Sequence, residues 1–121
     1  MKYLCLVYFD QSKWEELSPS ERERLMHASL DYDDELRRDG HFLAAQALQP
    51  ITSAVTVRPR EGRTLTTDGP FAETKEQLCG FILIDARDLN QAVQIGSKIP
   101  VGRLGCVEVR PIAEIQRSAS A

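Results

Sequence analysis

Three ionisable side chains capable of proton transfer lie in the segment TDGPFAETKE, residues 67–76. Asp68 could accept a proton, Lys75 could stabilise developing negative charge, and Glu73 could orient or tune the other two. These are the residue types that a lyase or isomerase needs when it moves a proton without a cofactor. The segment is therefore the candidate catalytic site.

The backbone of this segment is expected to be stiff at Gly69 and Pro70. Glycine permits positive φ, and proline has a fixed φ and no amide hydrogen to donate to a sheet. The Asp68 carboxylate could point outward as a base, or it could accept hydrogen bonds from nearby backbone amides in an Asx-type turn, which is the commoner arrangement. Both alternatives are open from the sequence.

An extended conformation after the turn would place alternate side chains on one side of the chain. The side chains that would share that side are Phe71, Glu73, Lys75 and Gln77. A solvated edge strand protected by charges has the same pattern. Tyr8, Tyr32 and Phe71 could line an apolar substrate pocket beside Gly69 and Pro70, although core packing is the commoner use of a tyrosine such as Tyr32.

The two histidines are predicted to serve structural purposes. His27 falls on the solvated face of a predicted helix, four residues before Asp31, with which it could pair. His41 follows the glycine that should end this helix, and a helix C-terminus favours a protonated histidine without any catalysis.

The three cysteines are far apart in the sequence and have apolar neighbours. Their number and spacing favour neither a disulfide framework nor a paired-cysteine zinc site. We therefore expect Cys5, Cys79 and Cys106 to be buried, reduced thiols.

The composition is that of a globular domain. The chain has 121 residues, of which 42% are hydrophobic and 27% charged, and its net charge is −3. Lysine and arginine are scattered, which argues against a nucleic-acid surface, and the apolar start is too short to span a membrane. We expect a cytoplasmic protein. The sequence has no metal-ligand cluster and no glycine-rich phosphate loop, so no cofactor is predicted.

The hydrophobic pattern predicts strands and two capped helices. One helix begins at the capping box of Ser18 and Glu21 and ends at Gly40, and the other is capped by Asp88 and ended by Pro100. Strands are expected over residues 3–9, 42–48, 53–58, 64–67, 78–86 and 105–111, with a hairpin turn at 60–63.

This order predicts an α+β domain of the ferredoxin-like split βαβ type, with two helices on one sheet face and an inserted hairpin. The domain should span residues 1–113, followed by a short polar tail over 114–121. Residues 3–9 and 78–86 are apolar at both odd and even positions, although two helices cover only one face. An uncovered apolar face favours a homodimer packed through the sheet.

Several segments carry a family resemblance that extends to about residue 112. They are TDGPFAETKEQLCGFILIDA, the MKYLCLVYFD start, LSPSERERLM, residues 47–50 and the closing VEVRPI. Together they resemble the DGPF-type branch of the YCII-related family. The resemblance implies bacterial origin and a ferredoxin-like domain that dimerises into an α+β barrel. It also implies a site built on a histidine and an aspartate, and relatives that resemble lyases or dehydrochlorinases acting on small ring compounds. Asp68 is available for such a site, and only His27 and His41 could supply the histidine.

Two classes of function follow. The first is a cofactor-independent lyase or isomerase with Asp68 as proton acceptor. The second is a binding or regulatory module that uses the DGPF turn as a recognition surface. Genes of the DGPF type often lie beside genes for extracytoplasmic-function sigma factors, so the resemblance implies a regulatory link for this second class. A third possibility is that the turn serves shape alone.

Overall fold

The computed structural model describes residues 1–117 and contains six strands and three α-helices in that range. Two short 3₁₀ turns, at Ile51–Ser53 and Pro100–Leu104, complete the elements. In chain order, the strands and α-helices are β1 (Lys2–Phe9), α1 (Gln11–Glu15), α2 (Pro19–Arg38), β2 (Phe42–Ala47), β3 (Val55–Arg60), β4 (Arg63–Asp68), β5 (Gln77–Asp85), α3 (Leu89–Ser97) and β6 (Gly105–Pro111).

Four strands form an antiparallel sheet in the order β2-β5-β1-β6, and β3 pairs with β4 in a separate hairpin. Each main-sheet crossover therefore skips one strand, which is consistent with the ferredoxin-like arrangement. The prediction of a mixed α+β domain with an inserted hairpin is confirmed.

The core lies between the helices and one face of the sheet. Tyr3, Cys5, Val7 and Phe9 of β1 are buried on this face, together with residues of α2, β5 and α3. The alternate residues of β1, among them Leu6 and Tyr8, are only half-buried because the described chain does not cover the other face. We call this second face, which includes Leu4, Leu6, Tyr8, Phe81 and Leu83, the open sheet face.

Both predicted helix starts are confirmed by side-chain hydrogen bonds. The Ser18 hydroxyl accepts from the Glu21 amide at 3.2 Å, while the Glu21 carboxylate accepts from the Ser18 amide at 3.3 Å. The Asp88 carboxylate accepts from the Gln91 amide at 2.8 Å. These bonds satisfy amides that the first turn of each helix would otherwise leave unpaired.

The predicted hairpin turn is also confirmed, since Glu61 and Gly62 both have positive φ, at 48° and 75°. Helix α1 was not predicted. It begins where the Asp10 carboxylate accepts from the Ser12 amide at 3.0 Å, and it brings Trp14 against the core. The polar tail predicted over 114–121 lies partly outside the described residues, which end at 117.

Candidate functional site

The DGPF turn is fixed to the β3–β4 hairpin on both sides of one glycine. Gly69 has a φ of 99°, a conformation that suits glycine. Its amide donates to the Ala54 carbonyl at 2.7 Å, and its carbonyl accepts from the Thr56 hydroxyl at 2.8 Å. These two hydrogen bonds fix the backbone next to Asp68, the last residue of β4. This agrees with the stiff backbone that was expected at Gly69.

The chain after the turn is not extended, so the predicted alternation of Phe71, Glu73 and Lys75 on one side is wrong. Residues 69–76 form bends and irregular structure, and β5 starts only at Gln77. The Gln77 amide group donates to the Thr74 carbonyl at 2.5 Å, and this hydrogen bond folds the segment back on itself. The Thr74 hydroxyl donates to the Glu76 carbonyl at 2.6 Å.

The three predicted catalytic side chains, Asp68, Glu73 and Lys75, are exposed. Among residues 1–117, the Asp68 carboxylate has no hydrogen-bond partner, so the Asx-type alternative does not form. Asp10 has a pKa below its ordinary value, chiefly because the Ser12 amide and hydroxyl donate to it, and the Lys75 ammonium adds a smaller effect in the same direction. The charge of Lys75 therefore acts on Asp10, a residue that sequence reasoning did not include.

The predicted substrate-binding residues do not share one pocket. Pro70 is half-buried, whereas Phe71 is 81% exposed. Tyr8 lies on the open sheet face. Tyr32 is buried under the opposite face, where its hydroxyl donates to the Ile95 carbonyl at 2.7 Å, and burial raises the pKa of Tyr32 to about 12. The sheet thus separates the two tyrosines, and core packing is the role of Tyr32.

The two histidines lie on different elements and have different partners. His27 is exposed and lies 3.9 Å from Glu23, measured between Nε2 and Oε1, so the predicted pairing with Asp31 is replaced by one with the preceding turn of α2. The Nδ1 atom of His41 lies 2.8 Å from the Asp85 carbonyl oxygen. Asp85 ends β5, whereas the DGPF segment leads into the beginning of that strand, so His41 is at the opposite end from Asp68.

The expectation of three buried thiols is only partly correct. Cys5 is fully buried and Cys79 is half-buried, and burial raises the pKa of both, that of Cys5 to about 11. Cys106 is exposed, because it lies on the edge strand β6 opposite Tyr8, on the open sheet face.

A cavity of about 500 Å³, which was not predicted, lies between α2 and the β2–β5 half of the sheet. Met26, Ser29, Leu30 and Asp33 of α2 contribute to its wall. The spacing of these four residues follows one face of a helix. The signal that could have indicated the cavity was the presence of the large apolar Met26 and Leu30 beside the predicted core face.

Residues 1–117 contain neither a cluster of metal-ligating side chains nor a membrane-spanning helix. In that range, no three histidine, cysteine, aspartate or glutamate side chains are grouped as metal ligands. None of the helices described there has the length and hydrophobicity needed to cross a bilayer.

Fold and site together define a small mixed α+β domain with an antiparallel sheet and an exposed, pinned turn. The YCII-related domain family matches residues 1–116, so the chain belongs to that family. It is also 38% identical over 115 residues to a protein of Rhizobium meliloti (strain 1021) that is named only as uncharacterised. That match covers 93% of each chain.

Proposed function

We propose that this YCII-related protein is a cofactor-independent lyase or isomerase acting on a small organic molecule, with Asp68 as proton acceptor. The observation that carries the proposal is the pinned turn at Gly69, which fixes the backbone next to Asp68 and leaves the Asp68 and Phe71 side chains exposed. Rigid backbone beneath exposed functional groups is typical of sites that act on ligands. Within the family, we assign the chain to the DGPF branch on this segment.

An exposed carboxylate needs a cover to act as an efficient base. Shielding from water strengthens the interaction between such a carboxylate and a charge on the substrate. Two unit charges 4 Å apart interact by about 1 kcal/mol in water and by about 4 kcal/mol where a protein surface partly shields them. We therefore include a second copy of the chain in the proposal, packed on the open sheet face as an α+β barrel. Such a partner is supported by the apolar side chains of β1 and β5 on the open face, which Glu108 and Arg110 of β6 border, and by the exposed Val55, Val57 and Leu65 of the hairpin.

Proton transfer can be tested by hydrogen–deuterium exchange in a panel of enolisable cyclic ketones and lactones, followed by proton NMR in D₂O. The wild-type protein should accelerate exchange at the carbon next to the carbonyl group of at least one probe. Asp68→Asn should abolish this acceleration, and Lys75→Met should reduce it at least tenfold. Asp31→Asn, an exposed carboxylate on α2, is the matched control and should have no effect.

Two results would reject the proposal: exchange that survives Asp68→Asn, or no acceleration with any probe. Far-UV circular dichroism should show that each variant keeps its fold, so that loss of activity is not loss of structure. Lys75→Met also tests the role of its charge, since an intact exchange rate would remove Lys75 from the site while leaving Asp68 in it.

The dimer can be tested by placing a charge on the open sheet face. Leu83→Arg should convert the protein to a monomer in light scattering at micromolar concentration, because an unpaired charge would be buried at the interface. Leu89→Arg, on the exposed start of α3, should leave the dimer intact. A wild-type protein that is already monomeric would remove this part of the proposal.

The alternative function is a non-catalytic module that binds a small molecule or acts in regulation with an extracytoplasmic-function sigma factor system in the cytoplasm. Phe71 favours this alternative, because an aromatic side chain that is 81% exposed is a typical anchor for recognition. The alternative predicts that Phe71→Ala weakens partner or ligand binding while Asp68→Asn does not. The opposite pattern supports the enzyme.

A further inference from the structure

A second cavity, of about 480 Å³, lies between the first turns of α2 and the short 3₁₀ turn at Pro100–Leu104. Residues of these two elements form its wall: Glu21, Arg24, Leu25, Ala28, Pro100 and Arg103. The charged side chains among them are two arginines and one glutamate. The cavity wall is therefore net positive, although the chain as a whole has a net charge of −3.

The two arginines of this wall have no partner that occupies them. Arg24 and Arg103 are exposed, and within residues 1–117 neither guanidinium donates a hydrogen bond or forms an ion pair. Arg22 on the same helix is different, because it donates to the Trp14 and Glu15 carbonyls at 3.1 Å and 2.8 Å. Arg22 thus fixes the local structure, whereas Arg24 and Arg103 are available to a bound molecule.

Glu21 shows that both positive charges act on the same place, but it does not neutralise them. Its pKa is lowered chiefly by its hydrogen bonds with Ser18, and the charges of Arg24 and Arg103 lower it further. The Glu21 carboxylate accepts from the Ser18 amide at 3.3 Å and, within the described residues, forms no ion pair with either arginine. The end of the helix is not itself the site, since the Glu21 amide already donates to the Ser18 hydroxyl at 3.2 Å. One carboxylate beside two guanidinium groups leaves one positive charge for a bound anion.

Two separate guanidinium groups favour a phosphate group as that anion. Each guanidinium can donate two parallel hydrogen bonds to an oxyanion. A phosphate monoester has three terminal oxygens and can therefore bond to both arginines, whereas one arginine alone can occupy both oxygens of a carboxylate. Leu25, Ala28 and Pro100 add apolar surface to the wall, against which an organic group can pack.

We propose that this cavity binds a small organic phosphate. Arg24 donates to the phosphate oxygens from α2 and Arg103 donates from the 3₁₀ turn, while the organic group packs against Ala28 and Pro100. Because both arginines are exposed, the affinity should fall as salt is added. The site shares no residue with the DGPF turn, so it does not depend on the function proposed there.

The test is a titration with phenyl phosphate, followed through the backbone amides in two-dimensional proton–nitrogen NMR. The shifts should be concentrated at residues 21–28 and 100–104. Phenyl phosphate should bind about tenfold more tightly than benzoate and several-fold more tightly than inorganic phosphate, which lacks the ring. Arg24→Gln and Arg103→Gln should each weaken phenyl phosphate binding about tenfold. Arg103→Lys should restore only part of the loss, because an ammonium group has no fork.

Glu21→Gln should have the opposite effect and strengthen phenyl phosphate binding several-fold. It removes the one negative charge of the wall, and glutamine also suits this position of a capping box, so the helix start is kept.

Arg38→Gln is the matched control, since this exposed arginine of α2 is not part of the cavity wall and its loss changes the net charge equally. It should leave the affinity unchanged. Asp68→Asn should also have no effect, which separates failure of this site from failure of the proposed enzyme. The proposal would be overturned if Arg38→Gln weakened binding as much as Arg24→Gln, because general attraction to surface charge would then explain it. Benzoate binding as tight as that of phenyl phosphate, or no shift at residues 100–104 in millimolar phenyl phosphate, would also overturn it.

Discussion

The hydroxyl of Tyr32 donates a 2.7 Å hydrogen bond to the carbonyl oxygen of Ile95, and this bond joins α2 to α3 beneath the sheet. The two residues are far apart in sequence, and both are buried in the core. The Ile95 carbonyl also accepts from the Lys98 amide at 3.2 Å, near the end of α3. The phenol therefore adds a tertiary bond to a carbonyl that already has a partner within the same helix end.

Tyr32→Phe should destabilise the protein by about 1 kcal/mol, because it removes this buried hydrogen bond and keeps the ring that packs in the core. The measurement is urea unfolding followed by circular dichroism. Tyr8→Phe is the matched control, since the Tyr8 ring lies on the open sheet face, and its midpoint should equal that of the wild type. Equal stability of the two variants would contradict a stabilising hydrogen bond from the Tyr32 hydroxyl to the Ile95 carbonyl.

Gly105→Ala should be the most damaging glycine substitution in the sheet. A Cβ at this position would overlap the Tyr8 carbonyl oxygen and lie 2.8 Å from the Cα of Phe9, so the clash is with backbone that cannot rotate away. We expect a loss of about 3 kcal/mol, the upper end of the usual overpacking range. Thermal and urea unfolding will measure it, and Cys106→Ala, at the adjacent exposed position, should change stability little. Wild-type stability of Gly105→Ala would show that β1 and β6 pair differently.

The elements that were predicted correctly are those determined by local chemistry. Ser18 and Asp88 cap their helices through amides only three residues away, and the hairpin turn depends on the adjacent Glu61 and Gly62. Strands β1 and β5 were recognisable from their apolar runs, and β3 from the alternation around Val55 and Val57. Helix α1 was missed because it is only five residues long, and its start depends on a single carboxylate, that of Asp10.

The site was harder to predict because it depends on contacts between distant segments. The Gln77 side chain turns back to the Thr74 carbonyl and removes the extended conformation that alternation had suggested. Tyr8 and Tyr32 were grouped by residue type, but the sheet places them on opposite sides. The cavity beside Ser29 and Asp33 exists only because α2 stands away from β2 and β5, a distance that no sequence pattern specifies.

The capping box of α2 should make stability depend on pH through Glu21. Its pKa lies below the ordinary value of 4.5, first because of the side-chain hydrogen bond with Ser18 and then because of the Ser18 amide. A lowered pKa in the folded state means that the stabilisation is present above pH 4.5 and is lost as the pH falls through the lower value. Urea unfolding of wild type and Glu21→Ala should therefore differ at pH 7 and converge toward pH 3. A difference that stays constant with pH would show that the carboxylate charge has no part in the cap.

The three thiols should differ sharply in their reaction with a disulfide dye such as DTNB in the native protein at pH 8. Cys106 is exposed and should react first. Cys5 should not react until the protein unfolds, because it is buried and its pKa of about 11 leaves only about one thiol in a thousand ionised. Cys79, half-buried and also with a raised pKa, should react slowly.

Cys106→Ser assigns these phases, since it should remove the fast phase and leave the slow one unchanged. In 6 M guanidinium, about the usual concentration for complete unfolding, all three thiols of the wild type should react together.

Because Cys106 lies opposite Tyr8 on the open sheet face, a partner packed on that face would slow its reaction. Dilution of the wild type should dissociate the proposed dimer and therefore accelerate the fast phase. The acceleration should be absent in Leu83→Arg, which is designed to be a monomer at every concentration. A fast phase that persists in Cys106→Ser would instead mean that Cys5 or Cys79 is reached by solvent through opening of the core.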